Sequence, residues 1–94
     1  MPHCKLAVVK TLISQGKVRT TFTARQGALE LVLDEQGICA VVTALSDHDF
    51  FKSMTTHANH RVWQDVYRPT TPAGDVYVKL TVIDDVLIVS FNEL

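Results

Sequence analysis

The feature that most constrains this chain is a pair of apolar, β-branched runs near its end. Residues 76–83 (VYVKLTVI) and 86–91 (VLIVSF) are separated only by Asp84 and Asp85. Side chains branched at Cβ are stiff and pack well on a pleated surface. Two such runs two residues apart predict an antiparallel hairpin, although the turn lacks the preferred glycine. A lone hairpin is marginal in water and needs further strands or a helix against one face. The rest of the chain must supply them.

Two upstream segments have the strand period of two. In residues 62–68, Trp63, Asp65 and Tyr67 face one way, and Val62, Gln64, Val66 and Arg68 the other. Pro69 and Pro72 end that strand, and Ala73-Gly74-Asp75 turns the chain. In residues 50–56, Lys52, Met54 and Thr56 share one face, and Phe51 and Ser53 the other. The first half reads as helical. Leu6, Val9, Leu12 and Ile13 recur at the 3.6-residue period, with Gly16 placed as a C-terminal cap. The basic stretch Lys17-Val18-Arg19-Thr20 is extended. Thr21 or Thr23 caps a second helix carrying Ala24, Ala28, Leu29, Leu31 and Val32, with Gly27 inside it. Gly37 opens a third run, Ile38, Val41, Val42 and Leu45. Its spacing favours helix, while its β-branched residues suit a buried strand. The expectation is a single α+β domain over residues 1–94. Its antiparallel sheet comes mainly from the C-terminal half and is packed by N-terminal helices.

Size and composition exclude several classes. Ninety-four residues, 47% of them hydrophobic and 20% charged, describe one globular domain. No run approaches the roughly 18–20 apolar residues of a membrane span. Met1-Pro2-His3-Cys4-Lys5 lacks the pattern of a signal peptide, so the cytoplasm is the expected compartment. Cys4 and Cys39 form neither a disulfide framework nor a zinc spacing, and are read as reduced thiols. P-loop, GxGxxG, GxSxG and CxxC motifs are absent from the sequence.

Charge is segregated along the chain even though the formal net charge is −1. Residues 1–29 carry Lys5, Lys10, Lys17, Arg19 and Arg25 and no acid. Residues 30–51 carry Glu30, Asp34, Glu35, Asp47 and Asp49 and no Lys or Arg. A near-neutral protein of this kind still presents basic surface to a phosphate. The adjacent carboxylates Asp34-Glu35 and Asp84-Asp85 suit solvated turns better than acid–base pairs. His48, His57 and His60 cluster in sequence, and His57 and His60 have the H-x-x-H spacing of metal ligands, but these two are read in a loop between strands with no evident third ligand. A ribonuclease can also use two histidines as general acid and base.

A broader grouping spans three strands. Lys52 with Met54, Gln64 with Arg68, and Tyr77 with Lys79 are same-face pairs. Were the strands neighbours, one face would hold cations for phosphates, Tyr and Arg for stacking, and an amide for a base edge. That set suits RNA.

The run Phe50-Phe51-Lys52-Ser53-Met54-Thr55-Thr56 closely resembles a block of the MqsR toxin family. So do Trp63-Gln64-Asp65-Val66-Tyr67-Arg68-Pro69, Val76-Tyr77-Val78-Lys79 and Val86-Leu87-Ile88-Val89-Ser90-Phe91, at matching spacings. Gly16 and Val18-Arg19-Thr20-Thr21 match as well. The resemblance covers almost the whole chain and is strongest over residues 45–91. It implies a RelE-like fold and an endoribonuclease that cuts messenger RNA without metal or cofactor, favouring GCU-type triplets. It also implies neutralisation by an MqsA-type antitoxin that is itself a DNA-binding repressor. By the same resemblance the family's functional lysine, glutamine and tyrosine fall on Lys52, Gln64 and Tyr77, the expected catalytic residues. Met54, Arg68 and Lys79 are the expected substrate-binding residues. The N-terminus is shorter than in relatives. The family's basic residue near the C-terminus is matched here by Asn92, which removes a cation. Two readings follow: a growth-arresting toxin acting as a ribonuclease, or a degenerate toxin that only binds its antitoxin or nucleic acid.

Overall fold

The structure is a computed structural model, and it describes residues 2–56 and 61–94. Three helices, α1 (Leu6–Ser14), α2 (Phe22–Glu30) and α3 (Glu35–Thr43), precede most of the strands. The strands are β1 (Val18–Thr20), β2 (Phe50–Thr55), β3 (Trp63–Tyr67), β4 (Thr70–Thr71), β5 (Gly74–Ile83) and β6 (Asp85–Glu93). The main sheet runs β1-β6-β5-β3-β2, with β4 paired to β5. All pairings are antiparallel except β1 on β6, where Arg19 lies beside Leu87. This is the expected α+β arrangement, with one parallel edge added by the basic stretch.

Helix ends follow from local chemistry. The Thr21 hydroxyl accepts from the Ala24 N–H at 3.0 Å and donates to the Val89 carbonyl at 2.7 Å, so Thr21 rather than Thr23 is the cap. Asp34 caps α3 by accepting from the Gly37 N–H at 2.8 Å. The third run is therefore a helix, but Asp34 opens it, and Gly37 lies within the first turn. Asp34 is thus a cap rather than only a solvated turn residue. Helices α1 and α2 end in the same doubly hydrogen-bonded turn. In the first, Lys17 and Gly16 donate to Leu12 and Ile13; in the second, Leu33 and Val32 donate to Ala28 and Leu29. Gly16 has φ +75° there, and Val32 has φ +58°. For a β-branched residue that conformation costs on the order of 1–2 kcal/mol.

Strand boundaries shift slightly from expectation. Strand β5 begins at Gly74, and Thr71 pairs with Gly74, so Pro72-Ala73 makes the turn. The β5–β6 connection is tighter than two residues: Ile83 pairs with Asp85, and Asp84 alone turns the chain at φ +65°.

Helices α1 and α3 pack over one face of the sheet, and α2 packs along β6. Leu6 and Val9 of α1, Ala28 of α2 and Ile38 and Val42 of α3 join Tyr67, Val78, Leu80, Ile88 and Phe91 in one buried cluster. Gly27 explains how close α2 comes. A β-carbon there would overlap the Phe91 carbonyl oxygen and press on Asn92. On the same face of β3, buried Asp65 accepts from the backbone N–H groups of His3 (2.9 Å) and Cys4 (3.0 Å) and from the Ser53 hydroxyl. The His3 ring stacks on Trp63 with centroids 5.2 Å apart. The N-terminal segment is thereby clamped to β3 and β2.

Candidate functional site

The face opposite the helices is open, and strand register decides which side chains meet on it. Lys52 of β2 lies opposite Val66 of β3, Val66 opposite Lys79 of β5, and Lys79 opposite Ser90 of β6. The next row pairs Met54 with Gln64. On the other side, Tyr77 lies opposite Asn92. Arg68 follows β3 with the parity of Gln64 and Val66. The structure therefore brings Lys52, Met54, Gln64, Arg68, Tyr77 and Lys79 to one face across three adjacent strands, as the two-residue period predicts. With strands about 4.7–4.9 Å apart, Lys52 and Lys79 arise about 10 Å apart. Between them Val66 is fully buried although it faces outward, so neighbouring side chains close over it.

The cations on this face have no acidic partner among the described residues. The ion pair of the basic N-terminal third, Arg19 with Asp85 at 3.7 Å, lies towards the β1 edge. Lys52 and Arg68 are exposed, while Lys79, Tyr77, Gln64 and Met54 are half-buried. The Lys79 ammonium sits 6.0 Å from the centroid of the Tyr77 ring. Lys52 presents its charge on the exposed side of β2.

One residue moves to the face against expectation. The β2–β3 register slips between Phe50 and Lys52, leaving Phe51 as the extra residue of a bulge. Strict alternation placed Phe51 with Ser53, away from Lys52. Instead its ring carries the Arg68 guanidinium 4.8 Å and the Lys52 ammonium 5.4 Å from its centroid. Phe50 takes the inward place, edge-on to Tyr67 at 5.6 Å. The doubled aromatic Phe50-Phe51 at a strand start was the available signal, since two adjacent rings cannot both face the core without breaking the alternation.

Other candidates fare differently. His48 is exposed in the turn Asp47–Asp49. His57 and His60 lie outside the described residues. Among the described residues no three His, Cys, Asp or Glu side chains gather as a metal site, and no helix is long and apolar enough to cross a membrane. Both thiols are half-buried, and burial pushes their pKa values up, Cys4 with help from Asp65 and Cys39 with help from Glu35.

The profile of the family described as "Motility quorum-sensing regulator, toxin of MqsA" matches residues 1–93. The chain belongs to this family. A curated relative, the mRNA interferase toxin MqsR of Escherichia coli (strain K12), is 56% identical over 92 residues. The matched stretch is 98% of this chain and 94% of the relative. The match to the MqsR family thus takes in the helices, the clamp at Asp65 and the whole open face.

Proposed function

We propose that the open face of the sheet is where this chain holds and cuts RNA, as the toxin of a toxin–antitoxin pair. The chain is an endoribonuclease, an mRNA interferase of the MqsR family. The observation that carries the placement is that Lys52, Arg68 and Lys79 share one face with Gln64 and Tyr77 and, among the described residues, have no carboxylate within ion-pair distance. Folding leaves those charges uncompensated, and a polyanion compensates them.

In the proposed reaction the RNA 2′-hydroxyl loses its proton and attacks the adjacent phosphorus. The bond to the 5′-oxygen breaks, and that oxygen takes up a proton. The products are a 2′,3′-cyclic phosphate and a 5′-hydroxyl end. Lys52 stabilises the negative charge that builds on the phosphorane. Tyr77 is placed to donate or accept a proton or to stack on a base, and Gln64 to orient the phosphate or a base. Arg68 and Lys79 hold the flanking backbone beside Met54. An MqsA-type antitoxin restrains the enzyme, and the cytoplasm, where messenger RNA is translated, is its place of action. Asn92 favours a second reading. It lies directly across from Tyr77, so a cation is lacking next to the phenol, and the chain then binds antitoxin or RNA without cutting.

The experiment is to incubate purified protein with a defined RNA containing GCU sites, with and without EDTA, and to sequence the ends. Discrete cuts at GCU with 5′-hydroxyl ends, unchanged by EDTA, are expected. Binding without cuts overturns the enzyme in favour of the binding module. Cleavage lost in EDTA brings the His57 and His60 pair forward as metal ligands.

A further inference from the structure

The bulge in β2 does more than add a ring to the open face. Beyond Arg68 a cleft opens at the end of the sheet, its lining including His48, Asp49, Phe51, Arg68, Thr70 and Asp75; the Asp49 carboxylate is taken up by the Ser46 N–H and hydroxyl, which donate to it. Phe51 is 47% exposed there although it is among the largest apolar side chains of the molecule. Asp75 belongs to β5 with the outward parity of Tyr77, and its carboxylate is fixed by the Thr70 hydroxyl, which donates to it at 2.9 Å.

We infer that this cleft is a subsite for one unpaired nucleobase next to the phosphate held by Lys52 and Arg68; the inference rests on the open face being the RNA site. An aromatic ring beside a guanidinium plane is the chemistry that receives a splayed base, because every base has a π-face and stacks on either group. Arg68 serves both parts of the nucleotide: its plane meets the base and its charge meets the backbone. The rim adds selectivity. A fixed carboxylate accepts hydrogen bonds, so Asp75 favours a base whose edge carries an amino group. Apolar surface and base edge are thus offered in one cleft, a few residues from the proposed reacting centre.

The test measures binding with an RNA analogue 2′-O-methylated throughout, which lacks the attacking hydroxyl and cannot be cut. Single abasic positions are placed along it in turn, and each analogue is titrated against wild type, Phe51→Leu and Phe51→Tyr. Base–aromatic stacking is worth about 1–3 kcal/mol, so Phe51→Leu weakens binding of the intact analogue about tenfold. Phe51→Tyr keeps the ring and the affinity. At one position the abasic analogue weakens wild type by a similar factor and costs Phe51→Leu less than twofold further. Losses that multiply at every position mean that the ring only braces the two cations, and overturn the subsite. At the coupled position cytosine binds wild type several-fold better than uracil, and Asp75→Asn evens them; equal binding by wild type overturns the role given to Asp75. Because these analogues are never cut, the outcome is separate from that of the cleavage experiment. Coupling in a protein that cuts nothing retains the subsite and removes the activity.

Discussion

The two faces of β3 treat charge in opposite ways. On the covered face Asp65 is buried and has three donors, from His3, Cys4 and Ser53. On the open face Lys52, Arg68 and Lys79 have a hydrophobic floor at Val66 and aromatic rings at Phe51 and Tyr77, but no carboxylate within ion-pair distance among the described residues. A buried carboxylate without partners costs several kcal/mol, so folding itself demands the Asp65 network. An exposed cation bears no such cost and can stay unmatched. Partners on the covered face explain the fold, and the lack of them on the open face points to a ligand.

That contrast sets what each substitution does. The largest effect is expected from Lys52→Ala, which removes a charge-stabilising donor: cleavage falls about 10²–10³-fold. Growth arrest is relieved, while the melting temperature stays within a degree or two. A Lys52→Ala protein that remains fully toxic breaks the assignment. Next comes the covered side. Gly27→Ala drives a methyl into the Phe91 carbonyl, and overpacking of this kind costs about 1–3 kcal/mol. Chemical denaturation reads that loss, and an unchanged midpoint shows that α2 has room to lift from β6. The smallest effect belongs to Tyr67→Phe. The Tyr67 hydroxyl is buried without a partner among the described residues, and burial, with Asp65 nearby, drives its pKa far upward. Loss of the hydroxyl leaves stability unchanged or raises it by up to about 1 kcal/mol. A clear destabilisation reveals a hydrogen bond that the covered face hides.

Much of the open face was legible because one physical rule governs it. Side chains two residues apart on a strand share a face, so Lys52 with Met54, Gln64 with Arg68, and Tyr77 with Lys79 could be paired before any strand order was known. Phe51 escaped because a bulge breaks that rule at a single residue, and only the partner strand reveals the slip. Asp65 escaped for a different reason. Two of its three donors are backbone groups 61 and 62 residues away, and backbone N–H groups leave no trace in a sequence. Gly27 was visible as an oddity inside a helix, but its reason, the carbonyl of Phe91, belongs to β6. The start of α3 was misread because Gly37 looked like punctuation, while the capping bond runs to it from Asp34. Local chemistry was readable wherever both partners lay within one turn or one strand.

The parallel contact between β1 and β6 has a consequence for how the molecule comes into being. Strand β1 leaves the ribosome more than sixty residues ahead of its partner residues Val86, Leu87 and Ile88. Strand β6 also completes β5 and supplies the carbonyls that receive Thr21. Contacts this distant in sequence form late. The open face is therefore complete only after β6 has been synthesised, so under the proposed function a chain still short of β6 is poorly equipped to attack the transcript that encodes it.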